Sequence, residues 1–467
     1  MLLLFLSDNQ LKKIKNMLSK SKFIRGSICQ KSLWLYVHNF GARAVAESTA
    51  SLFGTGTDVG ELARNYFPNG VMAVESDYPT RQSAQRTQEL IAQGVETIYE
   101  ATFIYNDTLV AVDLMHKHNG CWSLYEVKST NSVKPEHIKD VAVQYYVVQG
   151  CGLELEDAYL MHFDREYVRR GAIVPAQLFK PESVLEKVKA IQGEVEERIA
   201  LYQNMLKGDE PEVLMGNQCS KPYTCDYCNY CSALPCNQKE AAQSTAALSN
   251  DPQVRVADIQ NFVQGLEYPI AHLDFETIMP AVPMFDESRP YQQIPFQYSL
   301  HTQQHPYSEI THTDYLAESN PDIDPRLELI TQMIAETADA KTVLVYNIPF
   351  ERSRIKEMMR DFPVYAPPLQ NVIDRMKDLM YPFQKKHYTT EALGRKYSIK
   401  LVLPTLCPDV SYKELEINNG MDASSKFLEL YNCLDETLIA DTRHHLLKYC
   451  HLDTLAMVRI LKVLKDI

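Results

Sequence analysis

The run NQKEAAQSTAALSNDPQVRV, Asn237 to Val256, is polar, rich in small side chains and without a strong apolar period. Such a stretch has too little apolar surface to build a core, so it reads as a linker. It separates an N-terminal unit (17–236) from a C-terminal unit (259–467), with the linker itself bounded at 237–258. A chain of 467 residues is longer than one ordinary core organises, which agrees with two large units. With 45% apolar and 23% charged residues, neither a disordered nor a collagen-like chain is expected.

The net charge of -13 excludes a protein that coats nucleic acid by bulk electrostatics, since such binding depends on Lys and Arg neutralising phosphates. It does not exclude a nuclease, because carboxylates gathered to hold divalent ions make the chain acidic and the ions then restore positive charge locally. Basic segments remain at Lys12 to Arg43, with eight Lys/Arg and no acid, and at Lys385, Lys386, Arg395, Lys396 and Lys400. Each is equally readable as a solvated face or a phosphate track. The apolar run Met1 to Leu6 is shorter than a signal peptide's, and no run approaches the ~20 apolar residues of a spanning helix. A cytoplasmic protein with no membrane partner is therefore expected, and its eleven cysteines are expected as thiols. Five of them cluster between Cys219 and Cys236.

Along the N-terminal half, Ser32 to Leu62 reads as helical with a break at Gly54, Gly56 and Gly60, followed by a polar helix near Arg81 to Gln93. Three β-type runs, TIYEATFIY, TLVAVDLM and CWSLYEVKS, are separated by Asn106-Asp107 and His118-Asn119-Gly120, which predicts a meander. A helix at Pro135 to Gln149, a strand at Ala158 to Phe163 and a long helix at Pro181 to Leu206 follow. The C-terminal half opens with the strand YPIAHLDFET and an antiparallel partner, PFQYSLHTQ. Then come a helix at Pro325 to Ala338, the strand TVLVYN, and closing helices around Ser424 to Leu446 and Tyr449 to Leu464. This alternation implies an α/β protein.

Side chains two apart on a strand point the same way, so Asp274 and Glu276 share a face at the end of LDFET. Two neighbouring carboxylates repel, and a divalent metal is the usual compensation. TVLVYNIPFERSRI then places Asn347, Phe350 and Glu351 at a strand-to-helix junction, and YCHLDTLAMVRIL places Tyr449 and Asp453 four apart on one helical face. These three motifs, in this order, resemble the DnaQ-like, ribonuclease H-like 3′ to 5′ exonucleases, which carry DxE, an acid after NxxF, and YxxxD. The second motif departs from the family in having Glu351 in place of Asp. The resemblance implies a ribonuclease H-like domain with a central mixed sheet flanked by helices. It also implies Mg²⁺ or Mn²⁺ held by Asp274, Glu276, Glu351 and Asp453, Tyr449 orienting the attacking water, and two-metal phosphodiester hydrolysis. His272 lies two residues before Asp274 on the same face and reads as a buried, hydrogen-bonded histidine.

In the N-terminal meander, Asp113 lies near the end of TLVAVDLM, while Glu126 and Lys128 share one face of SLYEVKS. Taken alone, an ExK on a strand is more often an exposed ion pair than a site. The surrounding segments resemble RecB-like nucleases of the PD-(D/E)XK class: SKSKFIRGSICQKSLWLYVH, the strand with Asp113, EVKS, and a helix with Gln144 and Tyr145 at the family's Gln-Tyr motif. The resemblance implies a restriction-endonuclease-like domain. It makes Asp113 and Glu126 metal ligands, Lys128 catalytic, and Gln144 and Tyr145, like Lys385 and Lys386, contacts to nucleic acid. The family's upstream histidine is missing; Glu61 stands as its substitute, and Glu100 is a further acid. Similar nucleases hold an iron-sulfur cluster with one cysteine before the core and three after it, which implies Cys29 with Cys219, Cys225 and Cys231, and Cys228 as an alternative. Thiolate-rich sites select zinc or iron-sulfur, so [4Fe-4S] and Zn²⁺ both stay open. The remaining cysteines, Cys121, Cys151, Cys236, Cys407, Cys433 and Cys450, read as buried small hydrophobes.

The combined architecture resembles a bacterial family of unclear role that pairs a RecB-like unit, a cysteine cluster and a DnaQ-like unit. It implies cleavage of nucleic acid, DNA ahead of RNA, in repair, recombination or defence. Two other classes remain: a binding or scaffold protein with a degenerate N-terminal fold, and a redox sensor built on the cysteines.

Overall fold

Two hairpins organise the first sheet. In the computed structural model, which describes residues 17–44, 59–75, 78–237, 252–394 and 396–467, strands β1 (Thr97–Tyr105) and β2 (Thr108–His118) turn through Asn106 and Asp107, at φ 47° and 48°. Strand β3 (Cys121–Val127) follows through Asn119 and Gly120, at φ 51° and 86°. Both two-residue turns need left-handed backbone at both positions, which Asn, Asp and Gly supply at least cost. The preceding segment supplies helices α1 (Lys20–Ile28), α2 (Gln30–His38) and α3 (Arg81–Ala92). Beyond the meander, helix α4 (Pro135–Gly150) crosses over to strand β4 (Leu155–Phe163), which pairs parallel with β3. Strand β5 (Phe179–Ser183) pairs antiparallel at the edge. The sheet order is Val71–Met72, β1, β2, β3, β4, β5, with Leu18–Ser19 joined parallel to β2.

The second sheet is mixed and five-stranded. Strands β6 (Ile270–Ile278), β7 (Ile294–Gln303) and β8 (Ile310–Leu316) form an antiparallel set. Helix α5 (Pro325–Glu336) leads to β9 (Thr342–Val345), parallel to β6, and helix α6 (Ile348–Asp361) leads to β10 (Met376–Asp378), parallel to β9. Helices α7 (Ile399–Leu406), α8 (Gly420–Leu430) and α9 (Glu436–Lys465) complete the unit. Phe296 of β7 stacks on Phe427 of α8 at 4.0 Å, and α9 buries Leu446, Met457 and Leu461 against the same core. The protein is thus mixed α/β, with a separate hydrophobic core for each sheet. Contacts divide the chain between Thr245 and Ala246, with Val168–Arg170 grouped with the second unit. Among the described residues, no helix is long and apolar enough to cross a membrane.

The local differences from expectation have physical causes. Helicity in the N-terminal half begins at Lys20, capped by Ser19, and is interrupted at Cys29, whose extended backbone ends one helix and starts the next. The segment expected as one helix from Pro181 to Leu206 begins as the edge strand β5 and then forms two helices, Leu185–Ala190 and Gln192–Met205, because pairing with β4 captures Pro181 to Ser183. The closing helices divide at 431–435 instead of between Leu446 and Tyr449: Asp435 caps α9 by accepting from the N–H groups of Thr437 and Leu438. The expected helix break at Gly54 and Gly56, the residues Met1 to Leu6, the lysines at 12, 13 and 15, Arg395, and linker residues 238–251 lie outside the described residues.

Candidate functional site

Asp274 and Glu276 project from one face of β6, and three other elements converge on that face. Strand β9 runs parallel beside β6, with Leu344 opposite His272. Asn347 then takes φ 82°, a left-handed conformation that Asn tolerates, and turns the chain directly into α6, whose first turn carries Glu351. Asp378 anchors this turn by accepting from the N–H groups of Asn347 (3.1 Å) and Ile348 (3.0 Å). Helix α9 packs across the same face and buries Tyr449 and Asp453. The five residues expected from the three motifs are therefore brought together, with Glu276, Glu351, Tyr449 and Asp453 buried and Asp274 half-buried.

Little in this site offsets the carboxylate charge. Burial raises Asp274 well above its usual range, and Asp453, Glu351 and Glu276 push it further. Glu276 is likewise raised, by burial and then by Asp453. Glu351 is pushed up to about 8 by burial and by Asp378, and its Oε2 is buried without a hydrogen-bond partner. Asp453 rises to about 6 by burial, moderated by the hydroxyls of Tyr412 and Tyr449 and by Lys400. Carboxylates crowded this way release their protons readily only when cations enter.

Three neighbours were not recognisable from sequence as parts of the site. Tyr412 donates to Asp453 Oδ1 at 2.7 Å, and Lys400 donates to the Tyr449 hydroxyl at 2.9 Å. Lys400 appears in sequence only as one of a basic group; Tyr412 lies in a stretch with no periodic signal. The third is Cys450: one ligand atom each from Asp274, Glu276 and Cys450 lie within 4.8 Å of one another. Helix α8 begins beside Glu276, with a Cβ position on Gly420 lying 3.5 Å from its Oε2. His272 is buried as expected, its Nδ1 3.0 Å from the His301 carbonyl.

The first unit holds a differently compensated cluster. Asp113 accepts from the Val127 N–H at 2.6 Å, which ties β2 to β3. Glu126 is buried and receives Lys20 at 2.8 and 2.9 Å, Lys128 at 2.8 Å and Gln144 at 2.6 Å. Burial alone would raise Glu126, but Lys128 and Lys20 hold it down at about 2. Asp113 is raised to about 8, by burial and then by Glu126. Glu100 lies at the register position opposite Asp113 with φ 52°, and it too is raised by burial. Lys128 also pairs with Asp140. Lys20 was visible only as one lysine of SKSK; the fold at α1 makes it a partner of Glu126.

Other expected residues separate by exposure. Gln144 has no exposed surface; it bonds Glu126 and the Ala111 carbonyl, so it positions a carboxylate and does not face a ligand. Tyr145 packs partly buried against the core of the first unit, and Glu61 is exposed on the helical stretch 59–64. Lys385 and Lys386 are exposed, with the Lys385 ammonium 5.7 Å from the Tyr381 ring. Cys29, Cys219, Cys225, Cys228 and Cys231 line one pocket and are all half-buried. Of the cysteines read as buried hydrophobes, only Cys407 and Cys450 are buried; Cys121, Cys151 and Cys236 are exposed and Cys433 is intermediate, because turns and loop ends give a small side chain no core to enter.

Comparison with known proteins reaches the second unit. A family described as "Domain of unknown function (DUF2779)" matches residues 271–398, which include Asp274, Glu276 and Glu351. The "Uncharacterized protein MG366 homolog" of Mycoplasma pneumoniae is 30% identical over 223 residues, covering 44% of this chain and 33% of that protein. "Uncharacterized protein MG366" of Mycoplasma genitalium is 25% identical over 215 residues, 42% of this chain and 32% of that protein. "Uncharacterized protein UU173" of Ureaplasma parvum is 27% identical over 212 residues, 40% of this chain and 30% of that protein. The chain covers about a third of the length of these relatives and is similar to all three.

Proposed function

We propose that this chain is a metal-dependent nuclease whose principal catalytic site is the carboxylate cluster of the second unit, in a ribonuclease H-like domain of DnaQ-like type. The observation that carries this reading is the convergence of Asp274, Glu276, Glu351 and Asp453, from one strand and two helices, in a setting that raises every one of them. The buried Glu351 Oε2 has no hydrogen-bond partner, which suits a role as cation ligand. Mg²⁺ or Mn²⁺ held by these four carboxylates would supply Lewis-acid charge at the scissile phosphodiester and an activated water. Tyr449, fixed by Lys400, orients that water; Tyr412 holds the Asp453 carboxylate. The substrate is nucleic acid, DNA ahead of RNA, and the exposed Lys385 and Lys386 are assigned contacts to its phosphates.

The first unit is assigned a PD-(D/E)XK, RecB-like fold around Asp113, Glu126 and Lys128. Its saturated Glu126 favours a second reading for that unit alone: two ammonium groups already balance the carboxylate, so the cluster binds divalent ions more weakly than the second site. The cysteine pocket is assigned an iron-sulfur cluster. Its thiolate-rich lining of Cys29, Cys219, Cys225, Cys228 and Cys231 suits that cluster, with zinc as the alternative.

The test is incubation of purified protein with end-labelled single- and double-stranded DNA and RNA, with Mg²⁺, Mn²⁺ or chelator. Metal-dependent nucleotide release that disappears in Asp274→Asn and Asp453→Asn is the expected result. Release that ignores chelator defeats the proposal.

A further inference from the structure

Strand β7, which sets Ser299 opposite Asp274 of β6, also sets His301 opposite His312 of β8, and α9 brings His451 onto the same pair. The three rings sit with centroids 4.5 Å (His301–His312), 4.7 Å (His301–His451) and 4.3 Å (His312–His451) apart. One ring nitrogen from each lies within 4.8 Å of the others. His301 is buried, while His312 and His451 are half-buried and reach solvent beside the edge strand β8.

A chain of hydroxyls orders two of these rings. Ser299 Oγ is 2.9 Å from His312 Nε2 and 2.7 Å from Thr454 Oγ1, which is in turn 2.8 Å from His301 Nδ1. Thr454 Oγ1 also donates to the His451 carbonyl at 3.2 Å. With that proton committed, Thr454 accepts from His301 Nδ1–H and from the Ser299 hydroxyl, and Ser299 accepts from His312 Nε2–H. Every donor is used once, and the lone pairs left over are His301 Nε2 and His312 Nδ1. Hydrogen-bonding one imidazole nitrogen so that the other is presented as a lone pair is how proteins orient histidine ligands.

We propose that His301, His312 and His451 bind one zinc-class transition-metal ion, distinct from the ions of the carboxylate site. Imidazoles suit Zn²⁺ and its first-row neighbours, whereas carboxylates suit Mg²⁺ and Mn²⁺. Three protein ligands leave a fourth position, which Asp314 can approach from 3.9 Å beyond His312 Nδ1 or water can fill. The bound ion ties the edge strand β8 to α9, the helix that carries Tyr449 and Asp453.

Titration of metal-free, full-length protein with Co²⁺ in excess Mg²⁺ tests this. Wild type takes up one equivalent more than His312→Gln/His451→Gln, and the bands lost in the variant are d–d bands without thiolate-to-cobalt charge transfer, which marks cysteine ligation. Equal uptake by the two proteins, or charge transfer in the lost bands, overturns the proposal. Thr454→Val keeps all three histidines and breaks the hydroxyl chain; it weakens uptake of that equivalent roughly 10–100-fold. Unchanged affinity in Thr454→Val also overturns it, and this variant decides if the double variant does not fold.

Discussion

The two carboxylate clusters of this protein differ in how far their own cations compensate their acids. In the first unit, Lys20 and Lys128 supply the positive charge that Glu126 needs, and that carboxylate is held at about 2. In the second, Lys400 faces Asp274, Glu276 and Asp453 and Arg354 faces Glu351, yet all four acids are raised, two of them to about 6 and about 8. A site neutralised by its own side chains is stable as it stands; a site of raised carboxylates is stable only with protons or cations. Asp113, pushed up to about 8, and Glu100 remain raised in the first unit beside the balanced Glu126, whereas in the second all four acids are raised, so the proposed demand for divalent ions is greater there.

The sharpest way to break this comparison is Asp274→Asn. Losing a metal ligand should lower cleavage roughly a thousandfold, the several kcal/mol an ion contributes, while raising the melting temperature of the metal-free protein because a repelled charge is gone. A drop in both would mean that Asp274 is a structural partner. Next in size, Glu126→Gln leaves two ammonium groups facing a neutral amide and should destabilise the first unit by about 3 kcal/mol, read by denaturant unfolding. Stability unchanged by that substitution would remove the self-neutralised reading of the first cluster.

The pH dependences should have opposite signs. Glu351 and Asp453 have folded-state values raised above their unfolded ones, so their contribution is present at low pH and lost as pH rises from about 4 to about 6 for Asp453 and to about 8 for Glu351. Glu126 is depressed, so its contribution is present above its unfolded value near 4.5 and lost as pH falls towards 2. Metal-free protein should therefore lose roughly 4 kcal/mol from the second unit between pH 5 and 8, and Mg²⁺ should flatten that slope. A profile insensitive to Mg²⁺ would show that the raised carboxylates are not where the ion binds. Smallest, Tyr412→Phe removes one hydrogen bond to Asp453, a proposed metal ligand, and should cost about tenfold in cleavage, with Lys400→Met similar; an effect confined to stability would make both residues purely structural.

Much of the second site was legible because its chemistry is local: DxE on a strand, an acid in the first helical turn after Asn347, and Tyr449 four residues before Asp453 each place side chains by backbone period alone. Lys400, Tyr412 and Cys450 were not legible as site members, since nothing in their own neighbourhoods marks them and only packing brings them to Asp453 and Asp274. The same limit explains Gln144, readable as a motif residue but not as a fully buried support for Glu126.

Sequence by itself determined the first sheet's two hairpins, the antiparallel pairing of YPIAHLDFET with PFQYSLHTQ and the order of the acids, because turn chemistry and side-chain alternation act over a few residues. Tertiary structure alone decided which charges are balanced. Lys20 reaches Glu126 across 106 positions and His301 meets His451 only where α9 crosses the sheet, and such long-range juxtapositions have no local periodic signature to read.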